Sequence, residues 1–253
     1  MSQKRIDTIL QLIKEQGYVT VKYLCETLHY STATINRDLN DLKRQNLIVR
    51  HYGGAELTTQ TGVPLVMRYH KMRPVKRVIA KAAVELVQEG MTIFIDGSTT
   101  THYIGDYIKQ YKNITVISNN INLCSHLSEA GLRCICLGGM ILESPYMTCS
   151  SDTIKQAASY TADLVFFSTG GISSDGAVYV GAYYDLLKTM IQNAQKKVLL
   201  IDHQKLDRIC PRVLCHVSDL DVIISDIDFY DTVHKKADAT TFLRVATPKT
   251  QKP

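Results

Sequence analysis

The chain has 253 residues, 45% of them hydrophobic and 21% charged, with a formal net charge of +5. That balance excludes wholesale disorder and leaves apolar material for one large domain or two ordinary ones. The longest apolar runs, such as VLLI at 198–201, are far too short to span a bilayer, and MSQKRIDTIL lacks the apolar stretch of a secretory leader, so a cytoplasmic protein without membrane contact is expected. Charge is unevenly spread. Residues 1–81 hold 14 Lys/Arg against 6 Asp/Glu, and the rest hold 15 against 18. A basic head on a mildly acidic body points to a polyanion as the partner of the head.

In the head, Ile6, Ile9, Leu10 and Ile13 recur at helical spacing, and Gly17 ends the first helix. YVT (18–20) reads as a very short strand. Thr20 then caps a second helix carrying Val21, Leu24 and Leu28, with Cys25 beside them. His29 and Tyr30 make a turn, and Ser31 is the N-cap of a third helix. Ile35, Leu39 and Leu42 form its buried stripe. At 100° per residue Ala33, Arg37, Asn40 and Arg44 fall on the opposite side, with Asp38 and Asp41 toward the flank.

A helix entering a DNA major groove needs small or hydrogen-bonding residues at its tip, because bulk there holds it off the bases. Ser31, Thr32 and Thr34 suit phosphate contacts beside the free N–H groups of the helix start, and Ala33 keeps the tip small. Arg37 is the candidate for a guanine edge, and Asn36 and Asn40 for adenine or phosphate. Leu47 and Ile48 start a strand that RHYGG turns back. This wing sets Arg50, His51 and Tyr52 against the DNA backbone or minor groove.

With these pieces in place, the head resembles the DeoR family of bacterial transcription regulators. The resemblance lies in S-x-x-T-I-x-R-D-L at Ser31–Leu39 and in L-x-R-x-x-G-G-A ending at Ala55. It implies an N-terminal winged helix-turn-helix over 1–57 that binds a double-stranded DNA operator. Asn36 stands where the family usually has another arginine, which bears on the operator sequence.

Residues 58–74, with hydroxyls, one Gly and two Pro, read as a linker. The basic run RYHKMRPVKR could brush DNA, but reads more simply as a solvated segment leading into a helix. From Val75 the stripe Val75, Ile79, Ala82, Ala83 and Leu86 marks that helix, ending at Gly90.

Across 75–253, apolar runs alternate with helical stretches near 100–110, 120–129, 151–160 and 182–195. The runs are TIFID (92–96), ITVIS (114–118), LRCICLG (132–138), ADLVFFS (162–168), KVLLID (197–202) and DVIIS (221–225). This alternation predicts an α/β domain with a doubly wound, mostly parallel sheet covered on both faces. Ligands in such folds bind beyond the carboxyl ends of the strands. Those ends carry DGSTTT, SNN, GGM, STGGISSDG and DHQK. Together they describe a composite site for a small, phosphorylated, hydroxyl-rich ligand.

This body is similar to the sensor domain of the same family, whose fold is like that of sugar-phosphate isomerases. The similar pieces are VIAKAAVELVQEGMTIFIDGSTTT, VISNN, LGG, ADLVFF…GISSDG and LLKTMIQNAQKKVLLIDHQKL. The resemblance implies a phosphorylated sugar or related effector held by Asp96, Ser98, Thr99, Thr100, Asn119, Gly138 and Lys205. Lys205 neutralises phosphate in this reading, while Asp96 and Asn119 take sugar hydroxyls. Asp175, Asp185 and Lys188 are further candidates. Gly170 stands where the related isomerases carry a carboxylate, which argues against catalysis.

No Walker A, GxSxG or HExxH motif is present, and the eight histidines show no ligand spacing, so neither metal nor cofactor is expected. The seven cysteines include no pair of CxxC motifs and read as small buried hydrophobes; Cys134 and Cys136 would share one face of a strand. The expectation is therefore a repressor of carbohydrate genes, acting as a dimer or tetramer on repeated half-sites. The alternative is an isomerase-like enzyme with an appended basic domain.

Overall fold

A computed structural model describes residues 2–16, 18–45, 47–51, 53–57, 72–141, 147–180, 183–227 and 240–245. Its contacts divide the chain into two units, Met1–Lys71 and Met72–Pro253.

The first unit packs α1 (Ser2–Gln16), α2 (Val21–Leu28) and α3 (Thr32–Arg44) against a three-stranded sheet of β1 (Tyr18–Thr20), β2 (Ile48–His51) and β3 (Gly54–Leu57), ordered β1-β3-β2. Both predicted caps form: Thr20 Oγ1 accepts from Tyr23 N–H at 3.0 Å, and Ser31 Oγ from Thr34 N–H at 3.3 Å. Gly53, at φ 82°, turns β2 back into β3, a conformation that glycine adopts without steric cost. Ile9, Ile13, Leu24, Ile35, Leu39 and Leu42 are fully buried and form the core with Val19, Ile48 and Ala55.

One flank residue departs from expectation. Asp38 is buried, because Arg5 of α1 reaches it with Nε at 2.5 Å and Nη2 at 2.9 Å. The Arg5 guanidinium also lies 4.6 Å from the centre of the Tyr30 ring. A paired and hydrogen-bonded carboxylate can be tolerated where a lone one cannot. The forked pair fixes α3 against α1.

In the second unit a seven-stranded sheet runs β13-β12-β10-β7-β4-β5-β6. Its strands are β4 (Thr92–Ile95), β5 (Thr115–Ser118), β6 (Arg133–Cys136), β7 (Ala162–Phe167), β10 (Ala194–Ile201), β12 (Val222–Ser225) and β13 (Thr241–Arg244). Every pairing in it is parallel. Alternate side chains feed two cores. Ile93, Ile95, Leu164 and Phe166 pack with α4 (Arg73–Val84) and α5 (Ile121–Glu129). Phe94, Val165 and Phe167 pack with α6 (Ser151–Ala158), α7 (Tyr184–Gln192) and a second, antiparallel sheet. That small sheet, β8 (Gly171–Ile172), β9 (Ala177–Val180) and β11 (Arg212–His216), is not evident in the sequence pattern. The doubly wound expectation is thereby met.

Several local expectations change. Of the expected connector 58–74, residues 58–71 lie outside the described residues; at its end α4 already begins at Arg73, with Pro74 in its first turn, where the missing N–H costs nothing. Its buried face is Lys76, Ile79, Ala80, Ala83 and Val84, rotated from the stripe read in the sequence. It ends at Val84 and tightens into i→i+3 turns through Val87 rather than running to Gly90. The helix expected near 100–110 is two short 3-10 segments, Thr101–Asp106 and Ile108–Gln110. Three successive β-branched threonines are poor helix formers, and the Thr101 hydroxyl is tied back to Asp96. Among the cysteines only Cys124 is buried; Cys136 is exposed and the others are half-buried.

The small core of the first unit makes it sensitive to cavities. Leu39→Ala should cost about 2–5 kcal/mol. Thermal denaturation of the full chain should then show the transition of the first unit lowered and that of the second unmoved. An unchanged first transition would remove Leu39 from that core.

Candidate functional site

The exposed surface of α3 carries what the sequence assigned to it. Ser31, Thr32, Ala33, Arg37, Asn40 and Arg44 are exposed, and Thr34 and Asn36 half-buried. Arg44 pairs loosely with Asp41 at 3.4 Å. Of the two α3 carboxylates on the flank, Asp38 is turned inward to Arg5, and Asp41 lies beside Arg44. Arg50 behaves differently from the expected DNA-facing wing residue. Its Nη1 donates to Asn40 Oδ1 at 2.9 Å and to Asn36 O at 3.3 Å, and its Nη2 donates to Asn36 Oδ1 at 2.7 Å. His51 belongs to β2, but its side chain, like Tyr52, lies outside the described residues.

The second site sits where the winding of the large sheet reverses. From β4 the chain steps outward through β5 and β6, then returns to place β7 on the other side of β4. At such a switch point the loops leaving two neighbouring strands diverge and open a crevice. Asp96 follows β4 and Ser168 follows β7. Asp96 N–H donates to Phe166 O at 3.1 Å, and Ser168 N–H approaches Asp96 Oδ2 at 3.4 Å. The Thr101 hydroxyl lies 2.7 Å from Asp96 Oδ1 and 2.8 Å from Ser98 Oγ. Ser168 Oγ reaches Thr100 Oγ1 at 3.5 Å. Burial pushes the Asp96 carboxyl up to about 6, against the opposing pull of the hydrogen bonds from Thr101, Ser98 and Ser168.

A cation enters this group that the sequence reading missed. Lys76 of α4 is only 4% exposed, and its Nζ donates to Thr99 Oγ1 at 2.8 Å. The basic run around it looks solvated in sequence, but Lys76 lies one turn before Ile79 and Ala80 on the buried face. That register was the available signal. Asn119, after β5, donates from Nδ2 to Thr148 O at 2.9 Å. Its Oδ1 is buried and accepts no hydrogen bond among the described residues. Gly97 lies against it: a Cβ there would fall 3.1 Å from Asn119 Oδ1 and 2.5 Å from Met147 Sδ.

The remaining sequence candidates divide. Lys205 closes a 3-10 turn after β10, whose neighbour Gln204 contacts Met72 Sδ at 3.2 Å, just ahead of α4. Gly138 has both polar backbone groups engaged, its N–H by Gln156 Oε1 at 3.0 Å and its carbonyl by Thr153 Oγ1 at 2.7 Å. Asp175 accepts from Ser173 in the turn between β8 and β9. Asp185 faces Arg212 at 3.6 Å and Lys188 donates to Tyr184 at 3.2 Å, both on the exposed side of α7. None of the contacts of Asp175, Asp185 or Lys188 described above joins them to Asp96. Gly170 is packed so closely that a Cβ would fall 2.4 Å from Cys210 Sγ, so a carboxylate there would have to displace Cys210.

Comparison with known proteins agrees with this two-part layout. Residues 5–61 match the DeoR-like helix-turn-helix domain and residues 72–227 the DeoR C terminal sensor domain. The chain is 30% identical over 227 residues to the glycerol-3-phosphate regulon repressor of Escherichia coli K12, covering 88% of this chain and 90% of that one. It is 30% identical to the HTH-type transcriptional repressor GlcR of Bacillus subtilis 168, covering 88% of each chain. It is 31% identical to the L-fucose operon activator of Escherichia coli K12, covering 89% of this chain and 96% of that one. Among solved structures, ribose 5 phosphate isomerase A from Neisseria gonorrhoeae aligns over 52% of each chain with a TM-score of 0.39 and 16% identity. Two domain matches in sequence order, and relatives matched over most of their length, leave the isomerase-like enzyme without support. The chain belongs to the DeoR family: it is a DNA-binding transcriptional regulator, not an enzyme, with an N-terminal helix-turn-helix and a C-terminal sensor domain.

Proposed function

We propose that the sensor domain binds a phosphorylated sugar or polyol at the β4–β7 switch point and that binding alters the grip of α3 on operator DNA, so that the chain represses carbohydrate genes. The observation that carries this reading is the buried Lys76 beside Thr99, with Asp96 across the same loop. An ammonium set beside a row of hydroxyls is chemically suited to a phosphoryl oxygen. A phosphoryl group over Ser98, Thr99 and Thr100 meets Lys76 on one side and three hydroxyl donors on the other. Lys205, in the turn after β10, is assigned to the same phosphate in this reading. Asp96 and the open acceptor Asn119 Oδ1 then take sugar hydroxyls, which separates a phosphate end from a hydroxyl end.

In this reading domain 1–57 binds the operator through Ser31, Thr32, Ala33, Thr34, Asn36, Arg37, Asn40 and Arg44, with His51 and Tyr52 on the wing. One head makes few base contacts, so a homodimer or homotetramer reads repeated half-sites. A protein that meets its operator this way acts in the cytoplasm. Among the described residues, no helix is long and apolar enough to cross a membrane. The effector shifts DNA affinity only as far as it binds the two arrangements unequally.

The test is a thermal-shift titration with a panel of triose, pentose and hexose phosphates, followed by operator release measured with the best binder. At a hundredfold excess over Kd the ligand should stabilise the protein by about 2.7 kcal/mol. Lys76→Ala and Ser98→Ala should each reduce this shift and blunt operator release, with DNA affinity in the absence of sugar phosphate unchanged. Normal responses in both variants would place the effector elsewhere.

Asp96 gives a separate check. Its pKa is raised on folding, from 3.8 to about 6, so the folded protein holds the proton more tightly than the unfolded chain. Stability from this group is full below about pH 4 and is lost as pH rises to 6, about 3 kcal/mol in all. Asp96→Asn should flatten that part of the stability–pH curve, read from urea midpoints between pH 4 and 7. An unaltered curve would mean that Asp96 is not desolvated.

A further inference from the structure

Three of the seven cysteines meet at one edge of the large sheet, where β6 is the outermost strand. Cys134 and Cys136 stand two apart on β6 and share a face. Cys134 joins the core that holds Leu123 and Leu127 of α5, so the helix lies over that face. Leu132 N–H donates to Leu127 O at 3.0 Å, which folds β6 back along α5. A helix rises about 1.5 Å per residue and a strand about 3.3 Å. Measured back from Glu129, Cys124 lies about 7.5 Å up the helix, while Cys134 and Cys136 lie about 3 and 10 Å beyond Arg133 on the strand. The Cys124 thiol falls between the other two in height, and it interacts with both.

The three sulfurs differ in access and in acidity. Cys124 is buried, Cys134 half-buried and Cys136 exposed. Hydrogen bonding to Cys134 and Cys136 holds the proton on Cys124, with burial adding to the effect, so that thiol is pushed up. The hydrogen bond from Cys124 draws the Cys136 thiol down to about 7, against the opposing effect of burial. Cys124 has one proton to give, and Ser118 O competes for it at 3.7 Å. Of its two sulfur neighbours, Cys136 is the one that solvent reaches, and the thiolate is the nucleophilic form. Among the described residues no group of three His, Cys, Asp or Glu side chains is placed to hold a metal ion, this trio included.

Bond geometry selects the partner. Residues two apart in a strand hold their Cβ atoms about 6.6 Å apart, whereas a disulfide needs about 3.5–4.5 Å. Cys134 and Cys136 therefore cannot join without breaking the strand. Cys124, facing them from the helix, is the partner left for Cys136.

We propose that Cys136 and Cys124 form a peroxide-reactive disulfide site in the sensor domain, with Cys136 meeting the oxidant and Cys124 resolving it. The Cys136 thiolate attacks one oxygen of hydrogen peroxide. An S–O bond forms as the O–O bond breaks, and the departing hydroxide takes a proton from solvent. The Cys124 sulfur then gives up its proton and attacks the Cys136 sulfenic acid, forming the S–S bond and releasing water. Two thiols are oxidised to a disulfide and one peroxide is reduced to two waters. The bond fastens α5, whose N-cap Asn120 follows Asn119, to the outer strand. A dithiol reverses it by exchange. The reading of these cysteines as small buried hydrophobes is corrected for this pair.

The experiment exposes the full reduced chain to hydrogen peroxide at neutral pH, blocks the remaining thiols with N-ethylmaleimide in denaturant, and maps the linked peptides by tandem mass spectrometry. A Cys124–Cys136 link that dithiothreitol removes is expected. It should persist in Cys134→Ser. Cys136→Ser should slow thiol loss at this cluster by about tenfold or more. Cys124→Ser should leave a sulfenic acid on Cys136 that dimedone traps. Thermal melts of the reduced variants check that each is folded, and the wild-type map decides the matter where one is not. Three results overturn the proposal: Cys124 still labelled by maleimide after Cys136 has been oxidised, Cys136 found only in links between two chains, or a Cys124–Cys134 link that forms as fast in Cys136→Ser.

Discussion

The pairing of β4 with β7 is the contact on which the second unit depends. These strands are distant in sequence and parallel in space, with Phe94 beside Val165 and Ile95 beside Phe166. Their side chains alternate into the two cores, so the pairing seals both faces of the sheet at once. Because the chain winds outward in opposite directions from this pair, no crossover helix covers the gap above it. The gap is left to the loops, and those loops contain a buried carboxylate, a buried lysine and a row of hydroxyls. A hydrophobic pairing thereby creates a polar site. The polar groups are tolerated because each has a partner close by: Thr101 and Ser168 for Asp96, and Thr99 for Lys76.

The head solves a related problem on a smaller scale. A helix that meets DNA must be held firmly while limiting the acid on its outer face. The core residues Ile35, Leu39 and Leu42 supply the first requirement, and the Arg5–Asp38 fork supplies orientation about the helix axis. The fork also neutralises one of the two flank carboxylates, Asp38, leaving Asp41 beside Arg44. Arg50 helps to hold the helix from the other flank, tying the wing to α3 through two amides. Two arginines that a charge count assigns to DNA affinity are engaged in holding the reading surface instead.

What was legible in the sequence follows from the range of each interaction. Ser31 as a cap and Ile35, Leu39 and Leu42 as a stripe are local, governed by one helical period, and the structure places them as read. The apolar strand runs are local too, and six of them lie where expected. Strand order is not local: nothing in TIFID or ADLVFF says that they are neighbours, and so nothing located the switch point. Lys76 hid in a basic run because charge was weighed above register, although its helical phase with Ile79 and Ala83 was available. The Arg5–Asp38 pair spans 33 residues and leaves no periodic trace. The small antiparallel sheet escaped because β8 has two residues and β9 four, too short for alternation to stand out from turn-rich sequence. The 3-10 turns after Thr100 were masked by a polar run that a helix start and a side-chain-locked loop share.

The position of Lys76 in the chain also constrains how the proposed sensing could reach DNA. The two units have separate cores, so a ligand that merely filled a cavity in the second would leave the first indifferent. Coupling requires that the ligand favour one of two arrangements of an element both units feel. Moving such an equilibrium from 99:1 to 1:99 needs about 10⁴-fold differential affinity, or about 5.5 kcal/mol. In the proposed reading a phosphate drawn between Lys76 and Thr99 pulls on α4, the first helix after the head among the described residues. Its N-cap, Met72, holds a left-handed conformation at φ 59°, uncommon for a residue other than glycine. A strained residue at the start of the helix that carries the ligand's cation is a place where a small change in pull can be converted into a change of backbone. The stored cost of such a residue is about 1–3 kcal/mol, so it supplies only part of the required difference. In the proposed dimer or tetramer, two or four sites would add their differential affinities to one shared equilibrium and so raise the available difference.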